Sequence, residues 1–191
     1  MPRLTPLQEN ELNPSVRDPI QQGRELMGFV SNDAMTMARK PEILSGFLAL
    51  VEAIYAPGET SSALKRLVGL MTSAGAGCRY CVAHTASSAL RFGIAEEKLN
   101  QLWEFEASPL YTPAERAALR VALHAAQTPN GVSDKMYADF AACYSEQEQT
   151  EIIAVIALFG FLNRWNSTLA TDLEALPASR TEQLKIKVKA E

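Results

Sequence analysis

The sequence predicts an all-α domain, and three observations carry that reading. Apolar residues recur at helical spacing, as in Leu44, Phe47, Leu48, Val51 and Ile54. Helix-start signatures recur as well: Thr112-Pro113-Ala114-Glu115 and Ser145-Glu146-Gln147-Glu148 both have the form of a capping box. No segment before the last few residues alternates as a strand would. With 191 residues, 47% hydrophobic and 21% charged, the chain can build one large domain or two small halves around a proper core. The net charge of −4 and the scattered basic residues argue against a nucleic-acid partner. The longest apolar run, Ile152 to Leu162, is too short for a bilayer span, and Met1 to Pro14 has no apolar signal core. The expectation is a cytoplasmic protein without a membrane partner.

The elements follow in order. Residues 1–14, with three prolines and no periodicity, read as an arm. A helix is expected from Ser15 to Met27, stopped by Gly28, and a short one capped by Asn32 and ended by Pro41. The helix through Leu44 and Ile54 breaks at Pro57-Gly58. Leu64, Leu67, Val68 and Met71 form the stripe of the next. After Gly93 a helix is expected from Ala95 to Phe105, then one from Thr112 to Gln127 and one from Ser133 to Cys143. The box at Ser145 opens a helix apolar on all sides from Ile152 to Leu162, which predicts a central, buried element. Residues 15–176 are read as one domain and 177–191, beginning at Pro177, as a polar tail ending in alternating Lys185-Ile186-Lys187-Val188-Lys189.

The chemistry concentrates in Gly75-Ala76-Gly77-Cys78-Arg79-Tyr80-Cys81-Val82-Ala83-His84-Thr85. The glycines lead into a helical pattern, so the C-x-x-C straddles a helix start. There, unpaired amides and the helix dipole favour a thiolate on Cys78. Cys81 and His84 follow at three-residue steps and can share a helix face with it. Two neighbouring thiols beside an imidazole that can move a proton are redox equipment. Zinc is a rival reading, because C-x-x-C-x-x-H supplies three ligands, but a closed site takes four and only Cys143 or His124 could complete it. An inert pair is a third. The sequence reading expects no metal and no cofactor. Tyr80 either lines the site with its hydroxyl or packs, His124 reads as structural, and Cys143 as a small core residue.

An internal echo appears at an offset of 85 residues, where Arg66 to Cys81 lies over Glu151 to Asn166. Gly75 meets Gly160, Arg79 meets Arg164, and Cys78 and Cys81 meet Asn163 and Asn166. It reads either as two related helical halves or as chance similarity between two apolar helices.

Gly77-Cys78-Arg79-Tyr80-Cys81-Val82-Ala83-His84 after a long apolar helix resembles the carboxymuconolactone decarboxylase family, most of all its alkylhydroperoxidase D (AhpD)-like, peroxidase-related branch. The resemblance covers residues 40–95 well and extends loosely to about 175. It implies an AhpD-like helical bundle, homo-oligomers, and metal-free thiol peroxidase chemistry on a hydroperoxide, recycled by an external dithiol. Carried over, Cys81 attacks the peroxide, Cys78 resolves it, and His84 relays protons. Two positions depart from the pattern. The family's relay glutamate, twelve residues before the first cysteine, is here Arg66, which cannot act as a base. The AhpD-type histidine, four residues after the second cysteine, is here Thr85, with His84 one residue earlier. Glu151, the echo counterpart of Arg66, is a candidate for the missing carboxylate and belongs with Tyr80 and Thr85 to a possible site shell. The alternatives are a lactone decarboxylase-like lyase, which needs a base and an oxyanion site but no cysteine pair, and a non-enzymatic redox-sensing oligomer.

Overall fold

Side chains that accept the first free amides set most helix starts in this chain. In the computed structural model, which describes residues 1–186, Asn13, Ser61, Thr112, Ser133 and Ser145 each accept a backbone N–H of the helix that follows. Both anticipated capping boxes are present, with Glu115 and Glu148 returning to the cap amides. The α-helices are α1 Pro14–Met27, α2 Asn32–Met37, α3 Pro41–Tyr55, α4 Ser62–Gly75, α5 Arg79–Arg91, α6 Glu96–Asn100, α7 Pro113–Ala125, α8 Asp134–Ala141, α9 Glu146–Leu169 and α10 Ala175–Thr181. No strand occurs among the described residues, so the all-α expectation holds.

The core sits around α4, which packs on α5, α7 and α9. Its central residues Leu67, Val68, Leu70 and Met71 are buried. The crossing of α4 and α9 is close: a Cβ on Gly69 would fall 2.4 Å from the Phe159 ring. Only glycine lets these helices approach so far. The 24 residues of α9 are long and apolar enough to cross a bilayer, yet Ile152, Val155 and Leu158 are buried against this core.

Five expectations need correction. The helix from Ala95 to Phe105 is instead α6 followed by a 3-10 turn, Leu102–Glu104. Gln101 leaves helical geometry at φ −99° and ψ 22°, and its side chain accepts from Ser108 Oγ at 2.7 Å, tying the loop back. Helix α9 is not buried all round: Ile153 and Phe161 are 38% and 42% exposed, and Phe161 stacks with Phe47 and Trp165. Cys143 is exposed at the end of α8, its thiol donating to the Asp139 carbonyl. The chain after Pro177 does not trail away. Pro177 is buried in the first turn of α10, where a missing N–H costs nothing, and α10 packs on α5. Positions 187–189 of the terminal Lys alternation lie outside the described residues. The N-terminal stretch is docked too, with Leu12 buried and the Arg3 amide donating to Leu169 O at 2.7 Å.

Candidate active site

Helix α4 stops at Gly75 because the chain turns left-handed at Gly77, φ 75°. The next residue, Cys78, is the N-cap of α5, and its Sγ accepts the Cys81 N–H at 3.4 Å. The sequence-predicted straddle of a helix start is therefore present. Both thiols are free and 2% exposed. The Cys81 thiol hydrogen-bonds toward Cys78, and together with the Cys81 amide this outweighs burial and draws the Cys78 thiol down to about 7. Burial pushes Cys81 up, and the partner thiol and Asp33 add to that. Against this, Asn166 Nδ2 lies 3.5 Å from Cys81 Sγ and 3.3 Å from Asp33 Oδ2. The dithiol therefore loses its first proton near neutrality, with the charge resting at the helix start.

His84 contacts neither cysteine through its Nε2. That nitrogen lies 2.6 Å from Glu174 Oε2, in the segment between α9 and α10. Tyr80 OH donates to the other carboxylate oxygen at 2.8 Å, and the Asn32 amide donates there as well at 2.5 Å. Burial raises the Glu174 carboxyl, but the bonds from His84, Asn32 and Tyr80 prevail and hold it below the ordinary carboxylate value. The ionised carboxylate makes Nε2 the protonated nitrogen of the ring. Tyr80 stacks on the imidazole at 4.2 Å between centroids, and Phe29 meets it edge-on at 5.3 Å. Burial, then Asp33 and Glu174, keep the Tyr80 phenol protonated. The Tyr80 ring therefore packs on the imidazole while its hydroxyl is bonded to the same carboxylate as His84.

Cys81, His84, Thr85, Tyr80 and Ser88 line one wall of a cavity of about 260 Å³. The remaining walls are mostly apolar, including Met27, Val30, Phe47, Val51, Leu158 and Phe159. Cys78 does not reach it. Thr85 spends its hydroxyl on the Cys81 and Val82 carbonyls, so it shapes the helix rather than presenting a free donor.

Glu151 is not brought to this site. Its carboxylate accepts from the Glu59 and Thr60 amides at 3.0 and 2.9 Å and pairs with the buried Lys65 at 3.1 Å. It ties down the loop between α3 and α4. The carboxylate beside His84 is Glu174, ninety residues away in sequence, and no local pattern announces it. Asp33 and Asn166 were missed similarly, although the echo does set Asn166 over Cys81. Among the described residues no three His, Cys, Asp or Glu side chains form a metal-ligand cluster.

Comparison with known proteins fits this geometry. The profile of the carboxymuconolactone decarboxylase family matches residues 41–124, which include the C-x-x-C and His84. The chain is similar to the debrominase Bmp8, at 32% identity and TM-score 0.87, over 94% of this chain and 96% of that one. A Cys-to-Ala variant of Bmp8 is known in complex with 2,3,4-tribromopyrrole. The fold also matches an AhpD-core, peroxidase-related protein from Ralstonia eutropha JMP134, at 20% identity, TM-score 0.80, and 92% and 94% of the two chains. YnjA of Escherichia coli (strain K12), an uncharacterised protein, is 31% identical over 99 residues, and the match spans 52% of this chain and about half, 54%, of that relative. With its cysteine pair inside the matched segment and a full-length relative above 30% identity, the chain belongs to the carboxymuconolactone decarboxylase family and has the AhpD-like fold.

Proposed function

We propose that this protein is a dithiol-dependent reductase of a small, mostly apolar molecule, with an organic hydroperoxide as its substrate class. The observation that carries the reading is the staggered sulfur pair: Cys81 opens on the apolar cavity, and Cys78 lies behind it at the helix start. The resting charge on Cys78 passes to Cys81 when the Cys81 proton crosses their hydrogen bond. The Asn166 amide then supports the new thiolate. That thiolate attacks the terminal oxygen of R–O–OH, an S–O bond forms as the O–O bond breaks, and the alkoxide leaves as ROH with a proton relayed through His84 and Tyr80. Cys81 is left as a sulfenic acid. Cys78 attacks its sulfur, the disulfide forms, and hydroxide leaves with the Cys78 proton as water. An external dithiol restores the pair. Glu174 holds His84 and Tyr80 in place and keeps their protons at the site.

The second reading is reductive dehalogenation, favoured by the 32% identity to debrominase Bmp8 over 94% of the chain. The same Cys81 sulfur would take a halogen atom, the carbon would take the relayed proton, and Cys78 would displace halide. A lactone decarboxylase-like lyase would leave the thiol pair without a role. The exposed Ile153, and the exposed Phe161 stacked on Phe47, support a homo-oligomer that covers them.

The test is a single turnover with anaerobically reduced protein. One equivalent of cumene hydroperoxide should consume one dithiol, with loss of two hydrogens from one peptide spanning Cys78 and Cys81. Cys81→Ser should consume none. Bromide release from a bromopyrrole with no reaction of the hydroperoxide would select the second reading. Neither a Cys78–Cys81 disulfide with the hydroperoxide nor bromide release from the bromopyrrole would remove both.

A further inference from the structure

Arg66 stands where the family resemblance calls for a glutamate, and the structure gives it a different surrounding. Its guanidinium lies between two aromatic faces, 3.8 Å from the Tyr55 centroid and 4.3 Å from that of Phe92. It lines the same cavity as Cys81. Its Nε is buried with no hydrogen-bond partner, and among the described residues no carboxylate pairs with it. The contrast with its neighbours is sharp. Arg24, the other arginine of the wall, is paired with Glu9, and Lys65, next in sequence, is paired with Glu151. A half-buried guanidinium fixed between two rings, bonded to the Tyr55 hydroxyl but with its Nε unpartnered and no carboxylate beside it, keeps donors for the oxygens of a carboxylate.

The cavity has a direction. Cys81, Thr85 and Ser88 lie along one stripe of α5, and Phe92, on which Arg66 stacks, follows one turn later. Eleven residues at helical rise separate Cys81 from Phe92 by about 16 Å along the axis. The acidic groups Asp33 and Glu174 both lie at the sulfur end, against Cys81, Tyr80 and His84. An anion is repelled there and attracted at Arg66, with apolar wall between.

We propose that Arg66 is a specificity-determining residue for an organic monocarboxylate, whose anionic end pairs with the guanidinium while its apolar body carries the reactive group to Cys81. The identity of the reactive group rests on the reductase reading above; the carboxylate site does not need it.

The experiment is therefore a binding measurement on the reduced wild-type chain with two inert probes of one length, octanoate and 1-octanol. Calorimetry should find octanoate at least about tenfold tighter, a preference that weakens with added salt. Arg66→Gln should bind the two alike, and Arg66→Lys should retain part of the preference. Octanoate at saturation should also slow iodoacetamide labelling of Cys81 in the wild type and leave the exposed Cys143 unaffected. This measurement needs no variant that folds. Equal binding of acid and alcohol, an octanoate preference that survives Arg66→Gln, or unprotected Cys81 would each overturn the proposal. An inert protein that still prefers octanoate would defeat only the reductase reading. An active one indifferent to Arg66 would defeat only this one.

Discussion

Residues 66–81 and 151–166 occupy matching places in the echo and touch in the folded molecule, but only one of them breaks. In the first, α4 ends at Gly75, the chain turns at Gly77, and α5 restarts with Cys78 as its cap. In the second, α9 runs without interruption through the matching positions Gly160 to Asn163. Phe161 and Leu162 stand where the first segment has Ala76 and Gly77. The break replaces continuous helix hydrogen bonds with a new N-terminus, where the Cys81 amide points at the Cys78 sulfur. The unbroken partner supplies amides from its side chains. Asn166 reaches Cys81, its own counterpart, and Asn163 reaches Thr72 O at 3.5 Å. Even the aromatic pair diverges in the same way. Tyr80 bonds Glu174, and Trp165 donates to Thr36 Oγ1 at 3.0 Å. One segment presents reactive groups, and the other holds them.

The comparison breaks most visibly if the carboxylate that serves the first segment is removed. Glu174→Gln should lower turnover about 100-fold at pH 7, the scale of a lost proton relay. Iodoacetamide labelling of Cys81, which needs the thiolate but no relayed proton, should stay within about threefold of wild type. If turnover and labelling fall together, Glu174 acts by holding the fold of the site. Acid unfolding supplies a second check. Glu174 is held below the ordinary carboxylate value, so its stabilising contribution is present above that value and is lost as pH falls through its lowered pKa. Glu174→Gln should therefore unfold with a shallower acid dependence.

The next largest effect concerns where the two segments cross. Gly69→Ala would drive a methyl to 2.4 Å from the Phe159 ring and should cost about 1–3 kcal/mol, lowering Tm by roughly 3–10 °C in a thermal melt. Its counterpart Ala154→Gly should cost only about 1 kcal/mol, through helix propensity. Equal losses would mean that the crossing does not depend on the missing side chain. Gly77→Ala should cost about 1–2 kcal/mol, because φ is 75° there. It should also slow Cys78 labelling, since a shifted turn disturbs the cap.

These contrasts mirror what the sequence could and could not disclose. Caps and the C-x-x-C helix start are local, written within four residues, and Thr112, Ser145 and Cys78 all act as the spacing suggests. The site's acceptors are not local. Glu174 reaches His84 across ninety residues, and Asn166 meets Asp33 across 133. Pro177 added to the difficulty, because a proline reads as a stop while a first helical turn accepts it, and so the helix that follows Glu174 looked like a tail. Arg66 was legible as a departure, but its meaning depends on Tyr55 and Phe92, which only the fold assembles. The apolar run in α9 identified the helix correctly. It misjudged the exposure of Ile153 and Phe161, because a pattern apolar on every side does not say whether the last face meets its own core or another chain. Light scattering that finds only a 20.9 kDa monomer at micromolar concentration would refute the second option.

The smallest effect tests the contact between the two segments. In the wild type, labelling of the dithiol should rise with pH through about 7, because the Cys78 thiol is drawn down to that value and thiolate is lost below it. Asn166 donates toward Cys81 Sγ and Asp33 Oδ2, and both bonds are long, at 3.5 and 3.3 Å. Such a donor favours the charged sulfur, so Asn166→Ala should move the Cys81 labelling midpoint upward, by about half a pH unit. Asn166→Asp should move it further, since a second carboxylate beside Asp33 opposes the thiolate. Asn163→Ala, at the position matched to Cys78, should leave the midpoint in place, because that amide serves Thr72 O alone. If Asn163→Ala shifts the midpoint as much as Asn166→Ala does, the unbroken helix acts on the thiols through packing and not through one amide. A downward shift for Asn166→Ala would mean that Asn166 chiefly steadies the Asp33 charge, whose release then relieves Cys81.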